Sequence, residues 1–532
     1  MSISTGFGNA QQWAHTHFEG VSLGDVRRSR RVCTLAAGWA REPGASIPRL
    51  SQGQAYAGKA AYQLLGHAQA TPDALQAPHR HVVGQQLQAP GTYLLVEDTT
   101  ELSWPEAAER RAGLGPVGPG KARSQGVLLH SLVAAAWPAV DPDPAAKRPA
   151  LPLLGLLDQQ FHVRQPVPEA EKAHPTGGSR PRQGRVRESA LWAQSLRAVG
   201  SPPPGARWVV VADRGADIYE HLQQCHAQGL GFVVRAAQDR ALVAGAAKTP
   251  AGRLFALARA QPSAGTFALA LRGRPHQAAR EVVLQVSFSA PLALRAPQRP
   301  GGATGKGEPV PASVVRVWEE TGPEAAPGLE WLLLGDQPVT DFAQALACAR
   351  QYASRWLIED FHKALKTGLG AEKLQLQTAA RLFAAVALLS VVALALVDLR
   401  EKSRLEPDLP AEAAGLTAIE LRVLRHQRRQ PLATVREVDT LVFASRLYRG
   451  TYAASYNAMA ARAPRLWGVL YHSWALVPVY RGTAPVRLAL DRLNLRRLTR
   501  VCEHESPDAI VCTHFLPVEA LSHVRGDRKS VV

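Results

Sequence analysis

Apolar and polar positions change their period along the chain, and the changes mark several structural regions. Between residues 13 and 73, the segment LGDVRRSRRVCTLAAGWA places apolar residues on one helical stripe behind a cluster of arginines, which predicts a small helical region. From residue 92 onward, the short runs TYLLV, VLLHSLVAAAW, WVVVA and GFVVR are typical of strands buried on both faces. Pro-rich connections separate them. The pattern predicts an α/β fold with a mixed sheet and flanking helices.

A second β-rich stretch and one long apolar run follow. Residues 241–330 contain alternating pieces such as EVVLQVSF and SVVRVW, which predict a β-rich insertion. The run from Leu382 to Val397 is shorter than the roughly 20 apolar residues that cross a bilayer, and Arg381 and Asp398 flank it. We interpret it as a buried core helix and expect no membrane partner.

Composition narrows the class of protein. A chain of 532 residues exceeds one ordinary core, so we expect two or three domains. Lys and Arg number 62 against 44 Asp and Glu, a net charge of +18, which favours nucleic acid as a partner. A protein whose basic residues are simply solvated at its surface, without a nucleic-acid partner, would have the same excess of positive charge. Five cysteines without a CxxC pair predict neither a disulfide framework nor a zinc site, which fits a cytoplasmic protein.

Three carboxylates stand where they could converge. Asp98 follows the run TYLLVE and Asp213 follows WVVVA, so both lie at the ends of predicted strands. Acidic residues at strand ends also act as turn formers or helix caps. Glu359 lies in a segment where five residues recur at helical spacings, a pattern that a salt-bridge ladder would also produce. These five residues, which we expect on one helix face, are Tyr352, Arg355, Glu359, Lys363 and Lys366.

An ordered set of motifs gives these carboxylates a more specific meaning. EDTT at 97–100, DRGADIY at 213–219 and the pattern Y-x2-R-x3-E-x6-K at 352–366 form a D…D…E series. LGDVRRSRR, RESALW, FVVR and EWLLL accompany it in order. Over about residues 10–435 the chain resembles bacterial DDE transposases of the insertion-sequence-four, Tn-five-like family. One departure is Gly215, where that family has an acidic residue.

The resemblance implies a ribonuclease-H-like core that acts on double-stranded DNA, both transposon ends and target. Asp98, Asp213 and Glu359 would hold two Mg²⁺ ions about 4 Å apart, with Mn²⁺ able to substitute. Strand nicking, hairpin formation and opening, and strand transfer would follow at one site.

The resemblance also implies roles for DNA-contacting residues. Trp331 would stack on a base flipped out of the duplex, although a core tryptophan is the alternative. Phosphate contacts near the cleaved bond would come from Arg235, Tyr352, Arg355, Lys363 and Lys366. In the N-terminal region, phosphate contacts would come from Arg27, Arg28, Arg30 and Arg31, which could also form a solvated helix face.

Beyond about residue 438 the sequence changes character. The stretches SYNAMAARAPRLWGVLYHS, LDRLNLRRLTRV and SPDAIVCTHFLPVEAL resemble an N-terminal fragment of monogalactosyldiacylglycerol-synthase-like glycosyltransferases, with a partial Rossmann-like fold. A diverged transposase terminus is the alternative. The fragment lacks the nucleotide-sugar half, so we expect no glycosyl transfer. It replaces the helices with which the transposase family forms homodimers, which leaves the expected homodimer in question.

We therefore predict five regions in an α/β protein. They are a helical DNA-end-binding domain (1–75), a ribonuclease-H-like core in two parts (76–240 and 331–437), a β-rich insertion (241–330) and a glycosyltransferase-like fragment (438–532). The predicted function is Mg²⁺-dependent cut-and-paste DNA transposition in the cytoplasm, at the nucleoid. The alternative is a catalytically inactive fusion that only binds DNA.

Overall fold

The structure is a computed structural model, and it describes part of the chain. The described residues are 10–52, 54–104, 113–118, 124–138, 151–165, 187–244, 249–271, 280–297, 307–320, 328–405 and 500. The chain divides into two compact units, Met1–Leu424 and Arg425–Val532. Apart from Arg500, the described residues belong to the first unit. The predicted glycosyltransferase-like fragment therefore lies outside the described residues, except for Arg500.

The N-terminal region is helical, as the sequence predicted. Its helices are α1 (Ala10–Phe18), α2 (Val26–Arg41), α3 (Ile47–Leu50), α4 (Ala55–Leu65) and α5 (Pro72–Gln86). The Asp25 side chain accepts a hydrogen bond from the N–H of Arg27 and so caps the start of α2. Beyond this turn, α2 buries one stripe of apolar side chains, among them Val32, Leu35 and Trp39. Because the buried residues begin at Val32, the N-terminal part of α2, which carries the arginines, stays at the surface.

The described strands form one mixed sheet. Its first six strands are β1 (Gly91–Ser103), β2 (Gly115–Val117), β3 (Ser124–Trp137), β4 (Leu153–His162), β5 (Ala206–Ala212) and β6 (Gly231–Arg235). Strand β3 is antiparallel to both β1 and β4, whereas β1, β5 and β6 run parallel to one another. The predicted α/β class is confirmed, and so are the strands predicted from the four apolar runs.

Two helices cover one face of this sheet. Helix α6 (Ala190–Val199) precedes β5, and α7 (Tyr219–Ala227) connects β5 to β6. Apolar side chains from both helices, including Leu196 and Leu222, are fully buried against that face. The central strands are therefore covered on this side, as their apolar sequences require.

The stretch predicted as a β-rich insertion does consist mainly of strands. It contains β7 (Ala241–Ala244), β8 (Thr249–Arg253), helix α8 (Leu254–Arg259), β9 (Gly265–Leu271), β10 (Arg280–Phe288), β11 (Leu292–Leu294) and β12 (Val310–Glu319). Strand β12 pairs with β13 (Glu330–Gly335), and β13 pairs with β6. The insertion therefore extends the core sheet.

The segment with the Y-x2-R-x3-E-x6-K pattern is not the single helix that its spacing predicted. Helix α9 (Phe342–Ala353) ends at Ser354, and α10 (Trp356–Lys363) begins after Arg355. The Ser354 hydroxyl donates back to the carbonyl of Arg350 at 3.1 Å, a bond that competes with regular helix geometry. After α10 the chain widens into a π-helical turn, Ala364–Gly368. One continuous helix face is therefore the wrong description of this segment.

Helix α11 (Ala379–Leu405) lies in the core of the described region. By length and composition it could cross a membrane, but 83% of its most apolar window is buried inside the protein. It contacts α2, α4, α5 and β4. The prediction of a buried core helix from Leu382 to Val397 is confirmed.

A chain of buried hydrogen bonds joins the N-terminal helices to the sheet. His79 Nε2 accepts the N–H of Leu156 in β4 at 2.9 Å, which places the proton of His79 on Nδ1. That Nδ1–H donates to Nδ1 of His17 in α1 at 3.0 Å. Gly155 (φ +140°) makes room, because a Cβ there would lie 2.7 Å from the His79 ring. Burial lowers the pKa of His17 to about 4 and the pKa of His79 well below its usual value.

We expect acid to weaken the fold through this histidine pair. His17 has a usual pKa of 6.5 and a folded pKa of about 4, so the unfolded chain takes up its proton first as the pH falls. The contribution of His17 to stability should be constant above pH 6.5 and fall by roughly 3 kcal/mol between pH 6.5 and 4. Urea unfolding at pH 7 and pH 5 measures the loss, which should shrink in His17→Asn.

The matched control is His15→Asn on the same helix, where the histidine side chain is 44% exposed. It should keep the full pH dependence. An equal pH dependence in the parent and in His17→Asn would contradict the assignment.

Candidate active site

Two of the predicted carboxylates lie side by side at one edge of the sheet. The parallel register pairs Val96 of β1 with Val211 of β5, so Asp98 and Asp213 each follow this pair by two residues. Asp213 does follow the end of β5, but the prediction that Asp98 ends its strand is wrong, because β1 continues to Ser103 in pairing with β3. Side chains alternate along a strand, and Val96 and Val211 belong to the same buried cluster. Asp98 and Asp213 therefore point to the same face, the one covered by α9, α10 and α11.

Backbone N–H groups hold both aspartates. Asp98 Oδ1 accepts the N–H of Thr99 at 2.7 Å, and Asp213 Oδ1 accepts the N–H of Gly215 at 2.7 Å. Asp213 thereby caps a short 3-10 turn, Arg214–Ala216. A Cβ at position 215 would lie 3.0 Å from Asp213 Oδ1 and 3.1 Å from the Trp192 ring. An acidic residue at position 215 could therefore fit only if Asp213 or Trp192 moved.

Glu359 reaches the same edge from helix α10, which packs on β1. Its side chain is 51% exposed, and Oε1 lies 2.5 Å from NH2 of Arg355. The same guanidinium places NH1 3.7 Å from Asp98 Oδ2. Arg355 thus links the carboxylates of Asp98 and Glu359.

The charges at this edge influence one another. Burial, and then the negative charge of Asp213, raise the pKa of Asp98 to about 6, and Glu359 adds to the rise. The Thr99 N–H and Arg355 oppose it. In the described part of the chain, no group of three or more His, Cys, Asp or Glu side chains is close enough to hold a metal ion as it stands. The three carboxylates are close enough to influence one another electrostatically, and the positive charge of Arg355 lies between Asp98 and Glu359.

Three further predicted residues form a contact group beside this site. The Trp331 and Tyr352 rings meet edge to face with centroids 5.0 Å apart, and each residue is 4% exposed. Arg235 donates from NH2 to the carbonyl of Glu330 at 2.6 Å, and its side chain also bonds to Tyr352. The indole of Trp331 is therefore covered by protein, as its core alternative describes. Base stacking by Trp331 stays a prediction.

The two predicted lysines occupy different surroundings. Lys363 is exposed at the end of α10. Lys366 lies in the π-helical turn and donates from Nζ to the carbonyl of Glu101 at 2.9 Å, with Glu372 3.7 Å away. Lys363 is thus available to an external phosphate, whereas Lys366 ties the turn to β1. Phosphate binding by either lysine stays a prediction.

The arginine cluster of α2 is split between solvent and protein. Arg27 and Arg30 are exposed. Arg28 is half-buried and donates to the carbonyl of Leu23 at 2.8 Å. The guanidinium of Arg31 lies 5.9 Å from the ring centroid of Tyr56, an aromatic residue that is 78% exposed. Arg27 and Arg30 are therefore the members best placed for an external anion.

A buried polar cluster beneath the site was not predicted. Glu97, His130 and His221 each have 0% exposure and lie on the face opposite Asp98. Glu97 Oε1 is 2.5 Å from His221 Nε2, and Glu97 Oε2 is 3.4 Å from His130 Nε2. Burial alone would raise the pKa of Glu97, but the two histidines outweigh it and hold that pKa below its usual value. One available signal was a histidine inside the apolar run VLLHSLV.

A helical domain with exposed arginines such as Arg27 and Arg30 has the positive surface expected of a protein that binds nucleic acid. The comparison with known families is specific about the helical part. A family model described as transposase DNA-binding matches residues 10–70, which contain α1 to α4. The match supports a transposase that binds DNA, and DNA is accordingly a partner of this chain.

Replacing Asp98 should stabilise the protein when no divalent cation is added. Its folded pKa of about 6 lies above the usual 3.8, so the ionised form is disfavoured in the folded state. Asp98→Asn should therefore raise the free energy of unfolding by up to roughly 3 kcal/mol at pH 8, and by less near pH 4. Urea unfolding in EDTA measures this gain.

Asp341→Asn is the matched control, because Asp341 also accepts a backbone N–H, that of Gln344. It should not reproduce the gain. A loss of stability in Asp98→Asn at pH 8 would contradict the electrostatic description.

Removing the exposed arginines of α2 should weaken DNA binding and its salt dependence. If Arg27 and Arg30 each contact one phosphate, Arg27→Ala with Arg30→Ala should reduce the slope of log K against log salt by about 2. Titration of labelled transposon-end DNA at several salt concentrations gives the slope. Arg197→Ala on α6, an exposed arginine outside the matched domain, should leave it unchanged. Equal slopes in the double variant and the parent would exclude both contacts.

Proposed function

We propose that this chain is a DDE transposase of the insertion-sequence-four, Tn-five-like family, which cuts transposon ends and joins them to target DNA. The observation that carries the proposal is the meeting of Asp98, Asp213 and Glu359 at one sheet edge, where Asp98 and Asp213 follow a register pair of adjacent strands and Arg355 contacts both Asp98 and Glu359. The matched DNA-binding domain supports the same assignment. The sequence motifs and the spatial arrangement therefore point to the same three residues.

The strand arrangement supports a ribonuclease-H-like core. The order β4-β3-β1-β5-β6, with β3 antiparallel to its neighbours and β1, β5 and β6 parallel, is the arrangement of that fold. Helices on both faces and a carboxylate, that of Asp98, on the first strand also agree with it. The β-rich insertion follows β6, before the helix that carries Glu359.

The donor set fits a divalent metal ion. Three carboxylates offer the hard oxygen ligands that Mg²⁺ and Mn²⁺ prefer. Burial, and then the negative charge of Asp213, raise the pKa of Asp98, a cost to its ionised form that a bound cation would offset. Asp98, Asp213 and Glu359 would hold the ions. When bound, Mg²⁺ would supply Lewis-acid stabilisation of the charge on phosphate oxygens and lower the pKa of an attacking water or hydroxyl.

The protein's own groups prepare the site. The N–H groups of Thr99 and Gly215 orient the two aspartates before any ligand arrives. Arg355 holds Glu359 close to Asp98 and could also take a phosphate oxygen. Exposed Lys363 would bind the DNA backbone as a point charge.

The proposal also takes residues 438–532 to be a glycosyltransferase-like fragment. It leaves open whether the chain forms the homodimer expected of the family. In this proposal the fragment contributes no glycosyl transfer.

Strand cleavage tests the proposal. The full chain with Mg²⁺ should nick DNA that carries the element's own ends, and Glu359→Gln should reduce the rate at least about 100-fold, because it removes one metal ligand. Glu319→Gln is the matched control, since Glu319 pairs with Arg280 in the β-rich insertion. It should cut like the parent.

Binding of end DNA by the parent without Mg²⁺-dependent cleavage would reject the catalytic proposal. That result would support the alternative, a transposase-derived protein that only binds DNA. Equal cleavage by the parent and Glu359→Gln would instead reject Glu359 as a ligand.

A further inference from the structure

We propose that the buried cluster of Glu97, His130 and His221 positions the two aspartates of the site, and that the His221–Glu97 contact is its main element. This inference rests on the proposed function, because it assigns the cluster to the metal-binding carboxylates. The cluster lies on the opposite face of β1 from Asp98, with each of its members fully buried. It therefore acts on the site through the backbone.

The link to Asp213 runs through helix α7. His221 Nδ1 donates to the carbonyl of Ala216 at 3.1 Å, at the end of the turn that Asp213 caps. Its other nitrogen, Nε2, lies 2.5 Å from Glu97 Oε1. Since the carbonyl of Ala216 can only accept, a second proton must lie between His221 and Glu97. His221 thus fastens the turn after Asp213 to strand β1.

The link to Asp98 runs through Thr99. His130 Nδ1 lies 2.8 Å from the hydroxyl of Thr99, whose N–H donates to Asp98 Oδ1 at 2.7 Å. Glu97 is the preceding residue of the same strand. The cluster therefore holds the backbone on both sides of Asp98, and through His221 it fixes that backbone relative to Asp213.

Stability alone does not explain this arrangement. Removing two charges from water offsets most of their attraction, so a buried ion pair contributes little net stability compared with apolar residues of the same size. Within the described residues, Glu97 Oε2 and His130 Nε2 also lack a hydrogen-bond partner, which adds a cost. We therefore infer that the benefit of the cluster is the orientation of Asp98 and Asp213.

The surroundings keep the cluster rigid. The Trp192 ring meets His130 and His221 edge to face, with centroids 4.8 Å and 5.8 Å away. The same ring lies close to Gly215, in the turn that follows Asp213. Groups that orient metal ligands in this way typically change metal affinity 10-fold to 100-fold when they are replaced.

The experiment measures Mn²⁺ binding to the full chain without DNA, from the paramagnetic resonance signal of free Mn²⁺. The parent should bind Mn²⁺ in a way that Asp98→Asn abolishes. His221→Phe keeps the ring packing against Trp192 but loses both polar contacts, and it should raise the Kd for Mn²⁺ at least about 10-fold. In strand cleavage it should lower kcat and leave the KM for DNA unchanged.

Two variants separate orientation from stability. Glu97→Gln can still donate to His221 Nε2 while Nδ1 donates to Ala216, so it should retain most of the Mn²⁺ affinity. Ser195→Ala removes another fully buried hydrogen bond on the same side of the sheet, 2.9 Å to Asp158. It should lower thermal stability and leave Mn²⁺ affinity unchanged.

Parental Mn²⁺ affinity in folded His221→Phe would overturn the inference while leaving the proposed function intact. If His221→Phe does not fold, Glu97→Met with His221→Leu removes both charges and keeps the volume. Parental affinity in that double variant would overturn the inference equally. Equal Mn²⁺ binding by the parent and Asp98→Asn would instead reject the proposed metal site, and the inference with it.

Discussion

The parallel pairing of β1 with β5 is the constraint on which the site depends. Backbone hydrogen bonds between these strands set their register, which places the end of β5 beside Asp98, while β1 itself continues to Ser103. The spacing of Asp98 and Asp213 is thus fixed by main-chain geometry, which tolerates little error. Glu359 comes from a helix and has an exposed side chain, so it can adjust. Two carboxylates are held rigidly, and the third can adjust its position.

Burial of the sheet on both faces explains why polar groups near the site occur in linked sets. A polar side chain in a covered sheet must find a partner, because unpaired burial is costly. The contact of Glu97 with His221 meets this demand for one carboxylate oxygen on one side of β1, and Arg355 pairs with Asp98 on the other side. The histidine pair at His17 does the same where the DNA-binding helices join β4. Each set joins elements that are distant in sequence.

Much of this arrangement could be predicted from local sequence patterns. Apolar runs identified β1, β3, β5 and β6, and they placed Asp213 correctly at a strand end. They ended β1 too early, because the polar residues after Asp98 continue the pairing with β3 as far as Ser103. Strand β4 was missed, since its sequence LLGLLDQQFH buries polar residues, including Asp158. Helical spacing could not reveal the break at Ser354, which depends on a side-chain hydrogen bond. The contacts of His221 depend on tertiary packing, which periodicity does not encode.

The cluster beneath Asp98 also has a consequence for how the chain folds. Glu97 and His221 are 124 positions apart, so their contact closes a long loop and cannot form from local structure. Strand β5 and helix α7 must dock before Glu97 can leave water with its partner in place. We therefore expect the edge with the carboxylates to become ordered late, after the helical N-terminal domain. A nascent chain would then have its DNA-binding domain in place before the three carboxylates come together.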